Sequence, residues 1–164
     1  MSKYSFIFEN TVFLFIGVVL VIFALTPTGL IPSKQVFPDF LFCFIFIILV
    51  RKPKVISILS VIFLCLLADL LWFRPLGLTT IAYILAAEIL RTYLQARDKI
   101  GLVEEITLIT TLYIIITSVQ EVTKFFTLIP SLALGDIISY VMLTSLLYVA
   151  IVLIVRVMGS KLSF

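Results

Sequence analysis

The sequence predicts an all-α fold, an integral membrane bundle of about six transmembrane helices with both termini cytoplasmic. Hydrophobic residues make up 63% of the 164 positions and charged residues 13%, against roughly half apolar and about one-quarter charged in a soluble domain. The apolar residues also fall in long runs separated by charge, proline and glycine. A soluble domain of this length has one core, too small to hide so much apolar surface, whereas a bilayer takes the excess.

A helix needs about 20 apolar residues to cross the hydrocarbon, and its backbone groups must bond one another there. The first run covers about 6–25 and ends in Thr26, Pro27, Thr28 and Gly29, a helix-stopping cluster. Lys3 ahead of this run gives it the outline of a signal peptide. No Ala-x-Ala-like cleavage site follows and more membrane sequence does, so it reads as an uncleaved span. The second run, about 38–50, closes at Arg51, Lys52, Pro53 and Lys54. At about 1.5 Å per residue it covers roughly 20 Å of a roughly 30 Å core. It must either borrow from Val36 and Phe37 or sit among neighbouring helices. The third run covers 55–73 and the fourth 78–96. A polar patch with Arg97, Asp98, Lys99, Glu104 and Glu105 precedes the fifth run, 106–128, and the sixth covers 136–157. With no 20- to 50-residue repeat and no low-complexity linker, residues 1–164 read as a single transmembrane domain.

The net charge of +3 does not point to nucleic acid, because the basic residues sit singly or in short knots between apolar runs. It does set an orientation, since positive short loops stay in the cytoplasm. With both termini inside, Lys3, Arg51, Lys52, Lys54, Arg91, Arg97, Lys99, Arg156 and Lys161 fall inside, and only Lys34, Arg74 and Lys124 outside. Histidine is absent, removing the commonest general base and metal ligand. Cys43 and Cys65 lie within apolar runs, where a thiol behaves as a small hydrophobe. No catalytic constellation, cofactor motif or metal-ligand spacing emerges, so no enzyme is expected.

The polar residues inside the runs are the candidate sites. Asp69 is a carboxylate in an apolar span, which calls for a partner or a cavity; the alternative is an interfacial Asp wetted at the helix end. Arg74 lies five positions on and can reach back. Arg74-Pro75-Leu76-Gly77 fits a type I turn with Pro second and Gly fourth, making spans three and four an antiparallel hairpin. Trp72 and Phe73 beside it match an aromatic belt. Glu88 and Arg91 have helical pairing distance. A proton or ion relay would need several intramembrane acidic groups, and only Asp69 and Glu88 qualify, near opposite faces. Ala82 with Ala86, and Thr107 with Thr111, have the spacing that lets helices approach closely. Asp39 and Asp136 sit at expected helix starts, where a carboxylate caps orphan N–H groups. Gln120, Glu121 and Lys124 end span five, and with Asp69 and Arg74 they would form an outward polar patch for docking another protein.

The stretch Ala68-Asp69-Leu70-Leu71-Trp72-Phe73-Arg74-Pro75-Leu76-Gly77-Leu78 resembles the rod shape-determining protein MreD family of bacteria, and Pro38-Asp39-Phe40-Leu41 resembles that family's opening of a span. The resemblance covers the whole chain in layout and about a dozen positions in motif. It implies a multi-pass protein of the bacterial cytoplasmic (inner) membrane, a non-enzymatic scaffold of the cell-elongation complex. The partners it implies are an MreC-like periplasmic protein, actin-like MreB and the peptidoglycan synthases. Membrane lipid is the surrounding partner, the basic loops at 51–54 and 97–99 suit anionic lipid or a cytoplasmic partner, and a homo-oligomer stays open. The alternative is the substrate-binding membrane subunit of a small-molecule uptake transporter. Such subunits carry an Ala-rich first helix, whereas span one has Gly17 and Ala24 without such a ladder. A small lipid-handling enzyme would want clustered acidic or His residues at one membrane face, which the sequence lacks.

Overall fold

Capping residues decide where the helices of this chain begin. The structure, a computed structural model, describes residues 3–24, 38–53, 56–72, 75–97, 100–126 and 133–161. Among them the chain forms six α-helices and no strand: α1 (Lys3–Phe23), α2 (Phe40–Arg51), α3 (Ile58–Leu71), α4 (Leu78–Gln95), α5 (Leu102–Phe126) and α6 (Leu134–Lys161). Each falls on one of the apolar runs, with shifted ends. Asp39 caps α2, its carboxylate accepting the Phe42 N–H at 2.9 Å. Ser57 caps α3 from extended backbone, its hydroxyl accepting the Leu59 N–H at 3.3 Å, so this helix begins later than the apolar run does. α5 starts at Leu102, drawing Glu104 and Glu105 out of the expected loop patch into a first turn, where carboxylates favour the helix dipole. Asp136 lies within the first turn of α6 rather than at its cap. The expected stop at 26–29, the residues Lys34, Val36, Phe37, Lys54, Phe73, Arg74, Asp98 and Lys99, and the end of the fifth run at 128 lie outside the described residues.

The link between α3 and α4 forms a hairpin, as the sequence suggests, but its closed turn is one residue further on. The Leu78 N–H donates to the Pro75 carbonyl at 3.2 Å, and Gly77 takes φ +91° and ψ −11°. Gly77 is thus the third residue of a type II turn rather than the fourth of a type I turn. That position requires positive φ, which glycine adopts without penalty.

The contacts make the helices alternate in direction. Near the start of α1, Glu9 meets Lys52 beyond the end of α2, while Phe23 at its other end lies 6.3 Å from Phe40 at the start of α2. Glu105, early in α5, meets Tyr148 midway along α6, and Tyr113 further along α5 meets the earlier Tyr140. α1, α3, α4, α5 and α6 follow one another as neighbours, and α2 packs on α1, α4 and α6. The shortest helix is therefore the most enclosed, with Leu41, Phe42, Cys43, Ile45, Phe46, Ile47 and Leu49 all buried. Of the two accounts of its shortness, the seat among neighbours is visible here. Gly17 brings α1 against α3 so closely that a Cβ there would lie 2.5 Å from Leu64 Cδ1. Ala82 and Ala86 are buried on α4, whereas Thr107 and Thr111 face outward on α5, their hydroxyls donating to the carbonyls four residues back. Outward positions elsewhere carry large apolar side chains: Phe15 is 71% exposed, Leu59 76% and Leu146 63%. α5 over Leu102–Lys124 and α6 over Leu134–Val157 are long and apolar enough to cross a membrane; Ile7–Phe23, Phe40–Arg51 and Ile58–Leu71 are shorter apolar helices.

Candidate functional site

Polar groups inside an apolar bundle must find partners, because a buried unsatisfied carboxylate or phenol costs more than its bond returns. Here they gather at both ends. At one end Asp39 is buried at the start of α2. While its Oδ1 caps the helix, Oδ2 accepts the Tyr83 hydroxyl of α4 at 2.6 Å and the Tyr140 hydroxyl of α6 at 3.2 Å. The Asp39 N–H donates to Thr144 Oγ1 at 3.0 Å. That threonine donates to the Tyr140 carbonyl at 2.9 Å and pairs with the Tyr113 hydroxyl of α5 at 3.2 Å. Phe42 packs among the rings, 4.4 Å from Tyr113 and 5.8 Å from Tyr83 between centroids. One carboxylate, three phenols and a threonine thus join α2, α4, α5 and α6.

Asp69 lies at the same end, in the last turn of α3, and is 0% exposed. Its Oδ2 accepts the Gly77 N–H at 3.0 Å and the Thr80 hydroxyl at 3.3 Å, while Oδ1 has no partner among the described residues. The carboxylate fastens the hairpin from within: it holds the turn at Gly77 and the first turn of α4 together. Of the two readings of Asp69, the wetted interfacial one does not fit this burial. Gln120 is buried as well, and Glu121 and Lys124 pair at 2.5 Å with side chains only 14% and 17% exposed. Asp69 and Gln120 are therefore buried, and Arg74 lies outside the described residues.

At the opposite end Glu105 is buried, accepting from Arg51 Nη2 at 3.4 Å and from the Tyr148 hydroxyl at 3.2 Å. Around it, Arg91 donates to Glu88 at 3.3 Å, the helical pair expected, and also to the Ile56 carbonyl at 2.7 Å, tying α4 to the segment before α3. Glu104 accepts from Tyr93 and Arg97, whose guanidinium lies 5.2 Å over the Tyr93 ring. Arg51, Lys52, Arg91 and Arg97, four of the nine basic residues that the charge pattern places on one side, lie at this end with carboxylate partners.

Three carboxylates are thus buried, Asp69 together with Asp39 and Glu105, the last two each bonded to tyrosine, whereas Glu88 is exposed. Sequence reasoning passed over Tyr83, Tyr113, Tyr140 and Tyr148. The available signal was a phenol within an apolar run, which requires an acceptor. Cys43 and Cys65 are free and buried. Among the described residues no three His, Cys, Asp or Glu side chains are grouped to hold a metal ion. Chemically the arrangement cross-links helices through shared protons. The chain matches no family model, no curated protein and no solved structure.

Proposed function

We propose that the chain is a multi-pass membrane subunit of six spans with both termini cytoplasmic, which holds partner proteins in the bilayer and has no chemistry of its own. The observation that carries this reading is an apolar outer surface around a core in which polar groups are paired. Carboxylates and hydroxyls are gathered inside, on Asp39, Asp69, Glu105, Thr80 and Thr144, while Phe8, Phe15, Leu59 and Ile81 point outward. Outward apolar side chains all around a bundle suit hydrocarbon, and interior polar groups serve as interhelical bonds there. The centre is filled by α2 and by the rings of Phe42, Phe46, Tyr83 and Tyr113, which suits a scaffold better than a transporter subunit with a central substrate chamber.

The particular complex follows from the resemblance at 68–78: a scaffold of the bacterial cell-elongation machinery in the cytoplasmic membrane, engaging an MreC-like periplasmic protein, actin-like MreB and peptidoglycan synthases. The bonds from Asp69 to Gly77 and Thr80 supply a physical reason for that motif, since its Asp and Gly together build the α3–α4 turn. Depletion of the chain in its native rod-shaped host tests the reading. Rounding of the cells is expected, and normal shape with impaired uptake of a small molecule would replace it with the transporter alternative.

A further inference from the structure

A cleft between α1 and α2 is apolar along its length and charged at its mouth. It holds about 290 Å³ and is walled by Val12 and Ile16 of α1 and Phe44 and Ile48 of α2. Phe13 stacks on Phe44 within it, with ring centroids 5.2 Å apart and planes 11° from parallel. Glu9, Asn10 and Lys52 line its mouth, at the Glu105 end of the bundle. We propose that this cleft is a phospholipid site, selective for a headgroup that joins a phosphate to a primary ammonium, as in phosphatidylethanolamine. The proposal rests on the reading of the chain as membrane-embedded.

Three groups at the mouth carry the selectivity. The Lys52 ammonium donates to Glu9 Oε2 at 3.3 Å, which uses one of its three protons. Glu9 Oε1 accepts no hydrogen bond among the described residues. Asn10 is oriented by two donors, since its Oδ1 accepts the Ser57 N–H at 3.4 Å and the Ser60 hydroxyl at 2.9 Å. Its amide nitrogen must then lie on the other side of the planar group, and it makes no hydrogen bond among the described residues. The mouth therefore offers donors from Lys52 and Asn10 to a phosphate, and an acceptor from Glu9 to an ammonium. An acyl chain fills the greasy remainder.

Charge complementarity selects among lipids. A headgroup with phosphate and no ammonium competes with Glu9 for the single Lys52 ammonium and sets two anions beside one cation. A choline headgroup has a cation but no N–H to donate. Only a primary ammonium both balances Glu9 and bonds to it. A mouth whose charges among the described residues are paired, Glu9 with Lys52, thus fits a zwitterion, where a purely basic one would fit an anionic lipid.

The test is native mass spectrometry of the full chain in detergent micelles, titrated with phosphatidylethanolamine, phosphatidylglycerol and phosphatidylcholine of identical acyl chains. Several-fold greater retention of the ethanolamine lipid is expected, with Glu9→Gln abolishing the preference and Lys52→Gln lowering retention of all three. Ile16→Trp, which fills the cleft, lowers occupancy as well. Equal retention of the three lipids by the unaltered chain overturns the site, as does a preference that survives Glu9→Gln. The comparison on the unaltered chain decides even where a variant does not fold. Loss of the lipid preference by a chain that still resists carbonate extraction from membranes sinks this proposal alone, whereas release by carbonate sinks the reading beneath it.

Discussion

The Tyr83 hydroxyl donates to Asp39 Oδ2 at 2.6 Å, fastening the first turns of α4 to the cap of α2 inside the bundle. Tyr140 approaches the same oxygen from α6 at 3.2 Å. A single carboxylate oxygen therefore holds three helices, and the shorter of its two phenol bonds is the stronger.

Tyr83→Phe is expected to lower stability by about 1–3 kcal/mol and Tyr140→Phe, whose bond to the same oxygen is longer, by less. Asp39→Ala strips the acceptor from both phenols and from the Phe42 N–H together, and exceeds either, at about 3 kcal/mol or more. Thermal unfolding in detergent micelles measures the order, and a Tyr140→Phe cost above that of Tyr83→Phe would contradict it.

At Gly77 the expected penalty is conformational rather than steric. A Cβ there would come no nearer than 3.9 Å to Ile81 Cδ1, yet φ is +91°. Gly77→Ala should cost about 1–2 kcal/mol, and Gly77→Asn less, because asparagine tolerates the left-handed region. Asp69→Ala removes the acceptor of the same turn, so the double variant Asp69→Ala with Gly77→Ala should cost less than the sum of the two. Strict additivity would show that the carboxylate does not hold the turn.

Gly17 poses the reverse case, with ordinary backbone and no room. Its Cβ position lies 2.5 Å from Leu64 Cδ1 and 3.2 Å from Cγ, so Gly17→Ala should destabilise by about 1–3 kcal/mol through overpacking. Leu64→Ala opens that space, and in its background the Gly17→Ala cost should largely vanish. Equal costs in both backgrounds, read from the same unfolding curves, would remove the close approach of α1 and α3 as the cause.

The helices were legible in the sequence because runs of apolar residues bounded by Pro, Gly and charge are strong local signals. Ends were less so. Ser57 outweighs the apolar residues before it as a cap, and Glu104 and Glu105 look like loop residues in sequence although they suit a helix N-terminus. The turn at Gly77 was readable in kind but not in register, since Pro75 and Gly77 fit two turn types and only the Leu78 bond to Pro75 decides between them. Asp39 was legible as a cap, but its phenol partners lie 44 and 101 residues away along the chain. Pairings of that kind depend on which helices become neighbours, and no local spacing records it. The burial of Asp69 likewise follows from the hairpin folding back over it.

Orientation has its own test. Reporter fusions placed after Lys52, after Arg97 and after Lys161 are expected to be active only as cytoplasmic reporters, and fusions in the segments around residues 34 and 128 only as extracytoplasmic ones. An extracytoplasmic reporter after Lys161 would require an odd number of spans.

The account depends most directly on hydrocarbon surrounding side chains such as Phe15 and Leu59, and extraction of the expressed full chain from membranes measures it. The chain is expected to remain with the membranes through alkaline carbonate and to enter solution only with detergent. Its recovery as a stable monomer in detergent-free buffer would contradict the account.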